Sequence, residues 1–332
     1  MFTPAVERFF SADNRRMSNS FRKVAVVGAG AVGSFFGAML ARAGHDVVLI
    51  GRPAHVETIG RAGLRLEMAG RSDPVALAAS SAIGAVRGAD LVLFCVKSTD
   101  TDVVAREMAP FLDDGALVLS LQNGVENAAT IARHVNATVV PTVVYVATAM
   151  PGPGVVRHHG RGDLVIGPLT KAAADDTALG RKLQDVVAFF ATANVPVRIS
   201  ADVMAELWAK LMVNCAYNAI SGIAQASYGA LAVLEPVRAL QRTVVAEVCA
   251  LATAEGIDLP LHPSLEAMEK IAPAMPAQLS STAQDMARDK PSEIDHLNGF
   301  VARRGRELGV ATPANQALHA LVKLIESRRR AA

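Results

Sequence analysis

The chain has 332 residues, enough for two ordinary domains with a core in each. A net charge of +2, with 19% charged and only 5% aromatic residues, gives no strong field and no basic, aromatic-rich surface, which argues against a nucleic-acid partner. Two uncharged runs, residues 24–41 and 137–156, fail as membrane spans: Gly28, Gly30, Gly33 and Gly37 break the first, and Pro141, Pro151 and Pro153 the second.

Residues 1–20 contain acids and bases but no apolar core of signal-peptide length; they read as a flexible extension, with Met17 as a second candidate start. From residue 21 to 199, β-branched runs alternate with helical stretches, the pattern of a parallel sheet covered by helices. VAVVGAG, DVVLIGR, ADLVLFCVKS, GALVLSLQNG and TVVPTVVYVA are the expected sheet strands. LRLEMAGRSDPVALAAS reads as an inserted antiparallel pair, and VVRHHGRGDLVIG as a second hairpin with a Gly-rich turn. His158 and His159 should point opposite ways along a strand. Beyond about residue 200 the strand patterns vanish, so residues 200–332 are expected to be all-helical, ending in the basic run Arg328, Arg329, Arg330 as a solvated tail. The fold class is therefore α/β, a parallel sheet covered by helices followed by an all-α C-terminal domain. Cys95, Cys215 and Cys249 lie in apolar surroundings without paired spacing, which suits reduced thiols in the cytoplasm. The eight histidines show no ligand spacing, and no metal is expected.

The first strand runs straight into GAGAVG, from Gly28 to Gly33, and then a helix. Gly28 permits a tight turn, Gly30 lets a pyrophosphate approach bare backbone, and Gly33 lets helix and strand pack closely. The helix start then offers unpaired N–H groups and partial positive charge to phosphates. Where an NAD site usually carries a carboxylate, at the end of the second strand, this chain has Arg52, whose planar fork matches a 2′-phosphate. That favours NADPH. Lys97 and Asn123 follow two further strands, at the edge where such sheets bind ligands.

LWAKLMVNCAYNAISG, residues 207–222, spaces Lys210, Asn214 and Asn218 by fours, one slanted stripe on a helix. A solvent-facing stripe would favour Glu, Lys, Gln and Arg; asparagine is a poor helix former, and two beside a lone lysine suggest a polar pocket wall. Such a wall suits carbonyl reduction: an ammonium stabilises and protonates the oxygen that gains charge, and amides hold a carboxylate or hydroxyl. In SSTAQDMARDKPSEIDHLNG, Ser292 reads as a helix N-cap with Asp295 three residues on, which puts Glu293 in the first helical turn.

With these residues assembled, the chain resembles the ketopantoate reductase family from about Phe21 to Glu326, through GAGAVG, VKS, QNG, LWAKLMVNCAYN, the serine pair beginning at Ser280, and SEIDHLNG. The resemblance implies an α/β Rossmann-type N-terminal domain with an all-α C-terminal domain, and NADPH-dependent reduction of 2-dehydropantoate to pantoate, a step toward coenzyme A, in a cleft between the two. It implies Lys210 as proton donor to the ketone oxygen and Glu293 as a carboxylate orienting substrate and cofactor. Asn123, Asn214, Asn218 and Ser281 would bind substrate. Gly28, Ala29, Gly30, Ala31, Val32, Gly33, Arg52, Lys97, Asn123, Ala147 and Glu293 would line the cofactor site.

Tyr228, Thr282, Ala283, Lys290, Pro291 and Ser292 depart from what family members often carry. Two rivals therefore stand beside the reductase: a paralogous NADPH-dependent reductase of another 2-keto acid, and a regulator that senses NADPH without catalysis. A small-molecule 2-keto acid is the expected partner, with neither nucleic acid nor membrane, in a monomer or homodimer.

Overall fold

The computed structural model describes residues 21–331. The expected extension at residues 1–20, with Met17, lies outside these, as do the side chains of Arg329 and Arg330; Arg328 is exposed. The chain forms two compact units. One runs to Gln122 and resumes from Glu126 to Val203, and the other takes Asn123–Val125 and everything from Met204 onward.

The first unit begins with β1 (Lys23–Val27), α1 (Ala31–Arg42), β2 (Asp46–Ile50) and α2 (Pro53–Ala62). β3 (Leu64–Met68), β4 (Arg71–Val75) and β5 (Ala78–Ser80) follow, then β6 (Leu91–Phe94), α3 (Thr101–Met108), β7 (Leu117–Ser120) and α4 (Asn127–Ala132). It closes with β8 (Thr138–Gly152), β9 (Val155–Ile166), α5 (Thr177–Thr192) and β10 (Val197–Ile199). Strands β5, β2, β1, β6, β7 and β8 lie side by side in that order, all parallel. The chain thus builds outward from β1 in one direction, returns, and builds outward from β6 in the other, the doubly wound Rossmann order.

Both faces of this sheet are buried, and the strands read as unbroken apolar runs for that reason. Val24 and Val26 of β1 join one core with Phe36 and Leu40 of α1 and Phe189 and Phe190 of α5. Ala25 and Val27 join the opposite core with Phe94, Met108 and Ile131. One residue of register decides the face.

Two strand expectations need correction. The stretch ending ALAAS does not belong wholly to the inserted pair: β3 and β4 form that antiparallel pair, but Ala78–Ser80 returns to the main sheet as β5, parallel to β2. VVRHHGRGDLVIG is no hairpin. It is the single strand β9, antiparallel to β8, and the reversal falls at Pro153 and Gly154. Its internal glycines serve register shifts rather than a turn: pairing skips a residue between Arg161 and Asp163, and a Cβ on the skipped Gly162 would lie 3.3 Å from the Phe35 ring. His158 stacks on Phe35 at 4.6 Å while His159 is exposed, as strand alternation requires.

The second unit is helical: α6 (Val203–Ala224), α7 (Tyr228–Ala232), α8 (Glu235–Ala254), α9 (Leu261–Ala274), α10 (Ser281–Ala287), α11 (Asn298–Leu308) and α12 (Pro313–Ala331). Trp208, Leu211, Cys215 and Tyr217 of α6 pack with Val244 and Val248 of α8, Phe300 of α11 and Val322 of α12. The buried Glu247 accepts three N–H bonds, from Ala314 N (2.8 Å), Asn315 N (2.9 Å) and Asn315 Nδ2 (2.7 Å), so a carboxylate sits on the start of α12 where the helix dipole favours it. Among the described residues no helix is long and apolar enough to cross a membrane.

Candidate active site

At the end of β1 the backbone turns sharply. Gly28 has φ +105°, and its N–H and that of Ala29 both reach Ile50 O, at 2.9 and 3.0 Å, tying the ends of β1 and β2 together. A Cβ on Gly28 would lie 2.5 Å from Val96 N, and one on Gly33 would lie 2.3 Å from Gly28 O and 2.9 Å from Val26 Cγ1. Gly30 differs from both. A Cβ there meets nothing within 4 Å, and the residue is exposed. α1 then starts at Ala31 and Val32 with no side-chain cap and no acid in its first turn. Two glycines are thus required by the protein's own packing and the third leaves open space at a helix start, a cradle that fits a pyrophosphate.

A buried chain of hydrogen bonds that the motif reading missed supports this turn. His55 Nδ1 accepts the Gly154 N–H at 2.8 Å, so its Nε2 carries the proton toward Ser34 Oγ at 3.2 Å. The Ser34 hydroxyl donates onward to Ala29 O at 3.2 Å. Burial lowers the His55 pKa, in keeping with a neutral ring. Nothing in its local sequence marks it, because its partners come from the glycine turn and from the β8–β9 reversal.

Arg52 follows β2 by one glycine, exposed, at the cap of α2. Lys97 is half-buried at the start of the short 98–100 turn after β6. A second polar network joins this loop to the one after β7. Gln122 Nε2 donates to Val96 O (3.0 Å) and Thr101 Oγ1 (2.6 Å), Thr101 Oγ1 to Asn127 Oδ1 (2.8 Å), and Asn127 Nδ2 to Ser98 Oγ (3.2 Å). Ser98, Thr101, Gln122 and Asn127 are all buried, and they set the backbone next to Lys97 and Asn123. Ala147 lies on β8 beyond its pairing with β7, opposite Gly160 of β9. The three cysteines are free; burial raises each thiol pKa, so all stay protonated.

In the helical unit, Lys210, Asn214 and Asn218 descend one stripe of α6, the first two half-buried and the last only 3% exposed. Asn218 is therefore no solvent-facing residue. Its Nδ2 donates to Ser281 Oγ at 3.4 Å, and its Oδ1 accepts the Tyr228 hydroxyl at 3.5 Å. Burial pushes the Tyr228 pKa up to about 12, so this hydroxyl remains a donor. Ser281 opens α10 and is exposed, while its neighbour Ser280 caps that helix by accepting the Ala283 N–H at 3.0 Å and donates to Asn218 O at 3.2 Å. The pairing of Ser281 with Asn218 is thus enforced by a residue whose own role is structural.

Asn123 belongs by its contacts with the helical unit, and its Nδ2 donates to Glu293 Oε2 at 3.2 Å. Glu293 does not stand in a first helical turn as the spacing predicts. It occupies the cap position of a short 3₁₀ turn over Ile294–His296, half-buried, because Ser292 bonds Glu326 as well as capping Ile294 N at 3.3 Å.

Comparison with known proteins places the chain among relatives. The family model described as ketopantoate reductase PanE/ApbA matches residues 24–171, and its C-terminal companion matches residues 202–326. A 2-dehydropantoate 2-reductase of Halobacterium salinarum is 33% identical over 307 residues, covering 92% of this chain and 99% of that protein. Among solved structures, a PanE/ApbA family ketopantoate reductase from Ralstonia eutropha JMP134 is 55% identical, with TM-score 0.86 over 93% of this chain and 99% of that one. A D-mandelate dehydrogenase in a ternary structure with NADH and anilino(oxo)acetate is 25% identical, with TM-score 0.85 over 93% of this chain and 99% of its own.

Proposed function

The chain belongs to the ketopantoate reductase family of oxidoreductases, and from that premise we propose that it reduces 2-dehydropantoate to pantoate with NADPH. The observation that carries the reading is the α6 stripe: one ammonium and two amides at successive turns, the deepest amide tied to Ser281. The Gly28–Gly33 turn would hold NADPH, which when bound would supply the hydride. As the ketone oxygen gains negative charge, Lys210 stabilises it and transfers a proton from Nζ to it. Asn214, Asn218 and Ser281 hold the substrate's carboxylate and hydroxyl oxygens in register. Glu293, in its bond with Asn123, orients the substrate's reacting end, and Lys97 and Ala147 line the cofactor site.

Arg52 supports NADPH over NADH, since no carboxylate stands at the end of β2 to take a ribose 2′-hydroxyl or repel a 2′-phosphate. The three free thiols suit a reducing compartment, which supports the cytoplasm as the place of action. A second reading is favoured by Tyr228, whose buried hydroxyl already occupies Asn218 Oδ1: the pocket would then select a 2-keto acid with a different tail.

One experiment separates these readings, a panel of 2-keto acids assayed with NADPH and NADH side by side. The highest kcat/KM is expected for 2-dehydropantoate with NADPH, and another keto acid in first place would favour the Tyr228 reading. Lys210→Ala should lower kcat by about 10²–10⁴-fold while cofactor affinity stays close to that of the unchanged chain. A wild-type protein that binds NADPH yet turns over no keto acid would end both readings.

A further inference from the structure

The turn that carries Glu293 is gripped on both sides by one helix. Ser292 gives its backbone N–H (2.8 Å) and its hydroxyl (2.6 Å) to a single oxygen, Oε1 of Glu326. On the other side, Asp295 accepts from Lys323 Nζ at Oδ2 and pairs with His319 Nε2 at Oδ1, both at 2.7 Å. Lys323 Nζ also lies 3.7 Å from Glu326 Oε2 and so bridges the two carboxylates. His319, Lys323 and Glu326 stand at i, i+4 and i+7 of α12, a single stripe. The His319 ring fits because residue 299 is glycine: a Cβ there would lie 2.9 Å from its Nε2.

This grip is costly. Glu326 is only 8% exposed, while Asp295 and Lys323 each keep 42% of the side chain exposed, and a charge network with one buried member holds two elements together no better than an apolar pair of like volume. Burial alone would raise the Asp295 pKa, but the hydrogen bonds from His319 and Lys323 outweigh it and keep the carboxyl below its ordinary value. What the charges add over apolar contact is direction, since each bond fixes one atom of the 292–295 turn.

We infer that Glu326 and Asp295 are positioning residues: through them α12 fixes the turn on either side of Glu293 and so sets the bearing of its carboxylate toward Asn123. The inference rests on the reading of Glu293 as a group that orients substrate.

The test is a double-mutant cycle of Glu326→Ala and Glu293→Gln, read in kcat/KM for 2-dehydropantoate. Glu326→Ala should lower kcat/KM about tenfold by misplacing Glu293, and by less than about twofold where Glu293 is already replaced. Glu326→Gln keeps an acceptor for Ser292 and should restore kcat/KM to within about threefold of the unchanged chain. Amide hydrogen exchange across residues 292–296 gives a readout that needs no turnover; it should quicken in Glu326→Ala and return toward normal in Glu326→Gln. Equal losses in the two Glu293 backgrounds, or exchange that Glu326→Ala leaves unchanged, would overturn the inference. If Glu326→Ala does not fold, Asp295→Ala takes its place with the same expectations, and Asp295→Asn, which keeps an acceptor for Lys323, takes that of Glu326→Gln. A wild-type chain that reduces no keto acid would overturn the proposed function instead, and the exchange comparison would still decide whether α12 holds the turn.

Discussion

The glycine turn after β1 and the Glu293 turn of the helical unit are both short segments that present backbone or carboxylate at a site, yet opposite means hold them in shape. The first is specified by what is missing. Gly28 and Gly33 lack a Cβ that would strike Val96 N and Gly28 O, and the backbone follows within six residues. The second is specified by what arrives from far along the chain, since Ser292 and Asp295 are held by His319, Lys323 and Glu326. A site fixed by local backbone geometry tolerates little change at its own residues. One fixed by distant side chains can be lost without touching the segment itself.

The sharpest way to break that contrast is Gly33→Ala, whose methyl group would strike the Gly28 backbone and the side chains of Val26 and Cys95. It should cost about 3 kcal/mol in denaturant unfolding and abolish measurable cofactor binding. A stable Gly33→Ala protein would show that the turn is less constrained than its contacts imply. Next comes Glu247→Ala, the helical unit's counterpart, where removing one distant carboxylate strands Ala314 N, Asn315 N and Asn315 Nδ2. A loss of about 2 kcal/mol is expected in the same unfolding experiment.

Gly30→Ala sharpens the comparison from the other direction. With nothing within 4 Å of the added methyl group, the melting temperature should hold while the NADPH dissociation constant, measured by fluorescence titration, rises about tenfold. A fall in melting temperature with unchanged affinity would make Gly30 a structural glycine like its neighbours.

The smallest effect is a pH dependence. Burial depresses the His55 pKa, so the unfolded chain binds the proton more readily; stability should be full above the ordinary value of 6.5 and decline as pH falls below it toward the folded pKa. Melting temperature against pH reads this, and His55→Gln should flatten part of the slope. His45, depressed by burial in the same direction, contributes the remainder.

Much of the first region is legible in the sequence alone. Strand, glycine spacing and helix follow one another within thirty residues, with the tight turn at Gly28 and the close packing at Gly33 that their positions imply. The stripe on α6 was legible too, because four-residue spacing on a long helix fixes a common face. Other features were not. His55 and Thr101 lie outside the quoted motifs, and Gln122, though it opens QNG, gains its meaning as they do from partners on other elements. The misread hairpin in β9 has the same origin: glycine signals a turn by its own preference, and only pairing with β8 converts it into a register shift.

The sequence by itself determined the doubly wound sheet, the helical second unit, the glycine cradle and the common face of Lys210, Asn214 and Asn218, since all of these depend on short-range periodicity and backbone freedom. Tertiary structure alone decided that Asn218 is buried against Tyr228 and Ser281, that Asn123 meets Glu293, and that α12 grips the turn beside it. Those contacts join residues 10 to 170 positions apart, and hydrogen bonds over such separations are set by how helices pack, which no local pattern of residues encodes.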